Sequence, residues 1–230
     1  MQYKTELHCH SNVVSFCGRI TPEEIVARYV EHGYTSLVLT EHINHPAFTA
    51  PHYTGGDSLE GQVAFYMRGY RALLEAARGK LNILLGAEIC SLGIDYLVYG
   101  VEEKHLPLLI TMLSNDDRIE TISPRVREAG LLLVQAHPFR HGTRVTNPTL
   151  LDGIEAYNGN LRIECHNDIT RYWAKHFGLI ATSGTDTHHA DRPINGGIVT
   201  DFPITTNEEL LTVLKNGDYA LLEDGEATSL

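Results

Sequence analysis

The chain has 230 residues, 43% hydrophobic and 20% charged, which suits one globular domain with a sizeable core over residues 1–230. No run of about 18 apolar residues is present and the N-terminus has no basic-then-apolar leader pattern, so a membrane partner is not expected and a cytoplasmic location is. A formal net charge of −11 disfavours extended nucleic acid as a partner, and four scattered cysteines without a Cys-x-x-Cys pair read as free thiols.

The first strand is predicted at "YKTELH", residues 3–8. It ends on His8, with His10 two residues further on. Residues two apart share a face of a strand, so both rings can address one point while Cys9 points away. "TPEEIVARYVEHG" then predicts a helix, with Thr21 as N-cap, Pro22 in the first position, Glu24 closing a capping box and Gly33 as the stop. "SLVLT" at 36–40 predicts a strand followed directly by Glu41 and His42. Residues 61–79 space Val63, Tyr66, Met67, Tyr70, Leu73 and Leu74 like one helix face, which puts Tyr66 and Tyr70 in the core.

Further strands are predicted at 82–89, carrying Glu88 near its end, and at 95–100. "SPRVREAG" at 123–130 reads as a capped helix before a strand at 131–136, and His137 follows that strand. Strands at 153–157 and 179–184 precede Asn158 and the pair Asp186 and His188. "TNEELLTVLKNG" at 206–217 repeats the capped-helix pattern.

Alternating strands and helices, with strands apolar on both faces, predict a parallel α/β architecture. Neither a Gly-x-Gly-x-x-Gly after the first strand nor a phosphate-binding Gly-x-x-x-x-Gly-Lys occurs, so a (β/α) barrel is favoured over a dinucleotide-binding sheet. Five clusters of histidine and carboxylate stand at the C-terminal ends of predicted strands, the face where such folds build their sites. Imidazole and carboxylate donors together suit Zn, Mn or Fe, and the set exceeds the needs of one tetrahedral ion, so at least two metals are expected. Two ions about 3.5–4 Å apart can clamp a phosphate and hold a hydroxide. Arg140, Arg144 and Arg192 lie on loops framing that face, where a guanidinium can grip phosphate. His32, His52 and His176 read as solvated.

In order, "HCH", "TEH", "GAE", "AHPFR" and "SGTDTHH" resemble the PHP (polymerase and histidinol phosphatase) family of metal-dependent phosphoesterases. The resemblance implies a distorted (β/α)7 TIM-like barrel with two or three divalent ions. It implies His8, His10, His42, Glu88, His137, Asp186 and His188 as metal ligands, with Glu88 bridging. Two departures stand out. Cys17 occupies the place where many members have a ligating Asp, and a thiolate there can bind Zn or Fe. A histidine usual between the Glu and His-Pro motifs is missing; His105 lies too far past its strand, and Asp95 is the candidate substitute.

The expected activity is hydrolysis of a small phosphate ester by a metal-activated hydroxide, with Asp186 and His188 handling protons. Arg140 and Arg192 are the candidate substrate contacts, and Glu41 is expected to orient His42 or another ligand. The alternatives are an amidohydrolase-type barrel acting on an amide or lactone and a metal-binding module without activity. Neither the substrate nor the oligomeric state is legible.

Overall fold

A computed structural model describes residues 2–115, 118–160 and 162–228. The chain starts with β1 (Tyr3–Cys9), α1 (Pro22–Glu31), β2 (Tyr34–Leu39), the two-residue β3 (His42–Ile43) and α2 (Leu59–Ala77). It continues with β4 (Asn82–Leu85), β5 (Ala87–Ser91), β6 (Ile94–Tyr99), α3 (Leu106–Asn115), α4 (Ile119–Glu128) and β7 (Leu132–Gln135). It closes with β8 (Gly153–Asn158), α5 (Asn167–Phe177), β9 (Ile180–Gly184), β10 (Gly197–Thr200), α6 (Asn207–Asn216), β11 (Ala220–Glu223) and β12 (Glu226–Thr228).

The helix starts follow their capping chemistry. Thr21 accepts from the Glu24 amide while the Glu24 carboxylate accepts from the Thr21 amide, and Thr206 and Glu209 repeat the exchange at α6. Gly33 and Gly217 end these helices with φ of 76° and 75°. The cap expected at Ser123 is not formed. α4 begins at Ile119 and carries Pro124 inside it, while the Ser123 hydroxyl donates to the Leu150 carbonyl. Ser58 caps α2, whose first residue Leu59 lies two residues before the predicted start.

The fold is mixed α/β. One sheet has the order β12–β11–β10–β1–β2–β4 and the other β3–β5–β6–β7–β8–β9. β1, β2 and β4 are parallel, as are β7, β8 and β9. The expectation of a parallel strand arrangement is corrected here by several antiparallel pairs, and no closed barrel is found among the described residues. β5 and β6 are joined through Leu92 and Gly93, both with positive φ, so they pair antiparallel with no room for a crossover helix. β6 is also antiparallel to β7, and β10 to β1 and β11.

The strand predicted at 82–89 breaks at Gly86 and changes sheets. The Gly86 amide donates to the Leu39 carbonyl and the Glu88 amide to that of Glu41, so both chains turn together. The Tyr66 hydroxyl, fully buried on α2, bonds the carbonyls of Glu41 and Gly86 at this turn. Leu7, Val38 and Leu84 of the first sheet share one core cluster with Leu97, Val134 and Ile154 of the second. The sheets therefore face each other across packed apolar side chains. At the far end of β1 and β9 the Asp186 amide donates to the His8 carbonyl and the His10 amide to that of Thr187. That linkage brings the first and last histidine motifs side by side.

Candidate metal centre

β1 delivers His8 with its side chain fully buried, and the following residue but one delivers His10, equally buried. Glu88, on β5, is 1% exposed and faces four imidazoles. Its Oε2 lies 3.0 Å from His42 Nδ1, 3.1 Å from His10 Nε2 and 3.4 Å from His8 Nε2, and its Oε1 lies 3.4 Å from His137 Nε2. Asp186 Oδ1 approaches His188 Nδ1 at 3.2 Å and His8 Nε2 at 3.5 Å. All seven residues expected as histidine and carboxylate ligands thus meet in one place.

Three groups have ligand atoms within 4.8 Å of one another: His10, His42 and His188; His8, His10 and Glu88; Glu88, Asp95 and His137. Asp95 enters as the substitute suggested by the missing histidine, and His105 caps a short 3-10 turn with Glu102 instead. Neither Glu88 oxygen accepts a well-formed hydrogen bond. A buried carboxylate left in that state is costly, and a cation among the surrounding imidazoles removes the cost. The nitrogen and oxygen donors fit divalent ions of the Zn, Mn or Fe kind.

Electrostatics follow this packing. Burial raises Glu88, but His42 and His8 outweigh it and hold the carboxyl well below its ordinary range. Burial lowers His188, yet its bonds to Asp186 and Cys17 carry it up to about 11. His42, buried but beside Glu88, rises to about 9. His10 moves the other way, because burial and the neighbouring His188 and His42 all oppose its charge. Cys17 sits 3.0 Å from His188 Nε2; burial raises its thiol, and bonds to His188 and His42 bring it down to about 7.

Glu41 does not reach His42 directly. It accepts from the amides and hydroxyls of Ser11 and Ser15. Ser15 in turn meets His10 Nδ1 at 3.2 Å and accepts from the His42 amide. The orientation expected of Glu41 therefore runs through a serine.

Two residues that the sequence reading passed over complete the support. Glu155 Oε1 accepts from His8 Nδ1 at 2.7 Å, and its Oε2 accepts from the His137 amide and the Asn158 amide nitrogen, each at 2.9 Å. Glu6 accepts from the Leu7 and His8 amides, Tyr29 Oη and both the amide and hydroxyl of Thr185. Each lies inside a predicted strand, and for Glu155 the signal is a carboxylate in an otherwise apolar run.

His137 and Asp186 have φ of 29° and 51°. Left-handed backbone at residues other than glycine stores strain, which persists where the surroundings over-determine it. Here Glu155 holds the His137 amide, and the His8 carbonyl accepts from the Asp186 amide.

Arg140 Nη2 lies 2.7 Å from Asp186 Oδ2 and 3.3 Å from Asn158 Oδ1, so part of its guanidinium is already engaged. Arg192 lines a cavity of about 260 Å³ together with Cys17, Asn160, Arg162, Asp186 and His188. His189 borders the same cavity, while Arg144 lies in a separate pocket with Tyr96 and Thr146.

Two facing sheets with a buried histidine–carboxylate centre at their strand ends define an α/β protein equipped to bind metal. More particularly, the chain belongs to the PHP domain family, which it matches over residues 6–221. No match was found among curated proteins. Among solved structures, a two-domain protein from Bacteroides vulgatus, described as containing a predicted PHP-like metal-dependent phosphoesterase, aligns with TM-score 0.66 at 16% identity. The alignment covers 97% of this chain and 65% of that protein, so this chain spans under two thirds of its length. PsfC from Pseudomonas syringae aligns with TM-score 0.62 at 16% identity over 92% of this chain and 88% of its own. An amidohydrolase from Chromobacterium violaceum, with sulfate bound and no metal, aligns with TM-score 0.55 at 17% identity over 96% and 98%. At these identities the likeness is one of fold.

Proposed function

We propose that the chain is a metal-dependent phosphoesterase acting on a small phosphorylated substrate through two or three divalent ions. The observation that carries the reading is Glu88, a buried carboxylate whose two oxygens face four imidazoles without a well-formed hydrogen bond. His8, His10, His42, Glu88, Asp95, His137, Asp186 and His188 would hold the ions. Such ions, when bound, lower the pKa of water and neutralise phosphate oxygens.

The chain's own residues do the rest. Glu155 keeps the His8 proton on Nδ1, which leaves Nε2 directed at Glu88. The charges of His8 and His188 outweigh burial and keep Asp186 ionised, so the carboxylate is free of its own proton when one leaves an attacking water. His188 Nδ1, 3.2 Å from the same carboxylate, helps to orient it. Arg140 fixes the second Asp186 oxygen, so the carboxylate keeps its angle during the transfer. Arg192 and Arg162 on the cavity wall neutralise the phosphate group of an entering substrate. The (β/α)7 description and a cytoplasmic setting belong with this reading. No helix among the described residues is long and apolar enough to cross a membrane.

The amidohydrolase-like fold neighbour gives a second reading, hydrolysis of a lactone or amide. Elemental analysis of freshly purified protein, paired with phosphomonoesters, phosphodiesters, lactones and cyclic amides in Mn, Fe and Zn, separates the two. Turnover of phosphate esters with at least one ion per chain supports the proposal. Fewer than one ion per chain after reloading, or turnover of lactones and amides alone, overturns it.

A further inference from the structure

The donors of the centre are not evenly distributed. At one end, Glu88, Asp95 and His137 offer two carboxylates and one imidazole. At the other, His10, His42 and His188 offer three imidazoles. Cys17 Sγ stands against this second end, 3.0 Å from His188 Nε2, on the wall of the cavity that also exposes Asp186 and Arg192. His188 turns its other nitrogen to Asp186, and His42 turns Nδ1 to Glu88.

The remaining thiols are placed elsewhere. Cys9 is buried with its sulfur toward the His10 carbonyl, and Cys165 faces Asn158 and the Ile163 carbonyl. Cys90 lies on β5 beyond Glu88. A thiol is a soft donor, and carboxylates are hard ones. Hardness therefore changes across the centre, from two carboxylates at one end to imidazole with sulfur at the other.

We propose that Cys17 is a metal ligand, so that the position beside His42 and His188 is a mixed nitrogen and sulfur site reserved for Zn, Fe(II) or Co(II). The position at Glu88, Asp95 and His137 accepts a harder ion such as Mn(II). The chain then carries unlike ions in one centre, sorted by donor chemistry. Binding at the outer position displaces the thiol proton to solvent. This inference rests on the reading that the centre holds metal.

Cobalt tests it directly, because its d–d absorption reports binding by any donor while a thiolate-to-cobalt charge-transfer band in the near ultraviolet reports sulfur alone. Metal-free full-length protein is loaded with Co(II) and desalted, in parallel with Cys17→Ser, Cys17→Asp and Cys90→Ser. The expected result is a charge-transfer band in the wild type and in Cys90→Ser, lost in both Cys17 variants while the d–d bands stay. In competition with a chelator of known affinity, the wild type should hold zinc more tightly than Cys17→Ser at one position, with the remaining zinc unaffected. Cobalt bound without a charge-transfer band, or a band that survives Cys17→Ser, overturns the sulfur ligand and leaves the metal reading standing. No bound cobalt at all overturns both.

Discussion

Replacing Glu155 by Gln exchanges one of two acceptor oxygens for an amide donor without changing size. Both oxygens are in use: Oε1 accepts from His8 Nδ1 at 2.7 Å, and Oε2 from the His137 amide and Asn158 Nδ2 at 2.9 Å each. If the new amide nitrogen replaces Oε1, it donates to His8 Nδ1 and moves the ring proton to Nε2, the nitrogen directed at Glu88 and His10. If it replaces Oε2, two buried donors face a third, at about 1–3 kcal/mol. Either orientation weakens the centre. Loss of a carboxylate that orients a metal-binding histidine costs about 10–100-fold in affinity. At 1.4 kcal/mol per tenfold that is about 1.4–2.8 kcal/mol. The two routes agree in size. Competition of Zn against a chelator of known affinity measures it on wild type and Glu155→Gln. A variant that folds normally and binds Zn as tightly as wild type would refute the reasoning, because His8 would then not depend on Glu155 for its proton.

Metal uptake should release protons. At pH 7.5 His42 and His188, raised to about 9 and 11, are protonated in the metal-free chain, while Glu88 and Asp186 are already ionised. Ligation needs the imidazoles neutral, so affinity rises with pH, and calorimetry in buffers of different ionisation heat should count more than one proton released; none released refutes the assignment of these two rings. Arg140→Ala should lower kcat on a phosphate ester by on the order of a hundredfold through loss of the Asp186 anchor, with Arg140→Lys recovering part of it, as steady-state kinetics will show. Equal kcat in all three proteins would remove Arg140 from the mechanism. Gly184→Ala places a Cβ 2.3 Å from that of His8 and 2.9 Å from Glu155 Oε1. Urea denaturation should show a loss of about 1–3 kcal/mol, and Zn affinity should fall with it; unchanged affinity would mean that His8 has room to move.

The seven histidines and carboxylates that gather at the centre were legible because each stands at or just beyond the end of an apolar strand, a placement with no packing rationale. Helices α1 and α6 were legible through their capping boxes. Asp95 was legible only as a replacement for something missing. Sheet direction was not, since an apolar run such as "LLLVQA" reads the same whether its neighbour is parallel or antiparallel. The break at Gly86 was hidden for the same reason: one continuous apolar strand was expected at 82–89, and only the paired turn of Thr40–Glu41 beside it divides the run. Helices α3 and α5 and strands β10 to β12 went unassigned. Glu155 and Glu6 were hidden inside strands, because their roles depend on partners far away in the chain.

That last distance bears on how the protein is made. Glu6 accepts from Thr185 across a separation of 179 residues, and His8 meets Asp186 through both backbone and side chain. Contacts so remote in sequence close late, after most of the entropy of the intervening chain has been surrendered. During synthesis the first histidine pair leaves the ribosome long before its partners at 186 and 188. The centre is therefore a product of completed folding, and ion capture should act as its final latch. Refolding in a chelator and then adding metal should show a fast gain in resistance to proteolysis only after the slow strand-docking phase has ended.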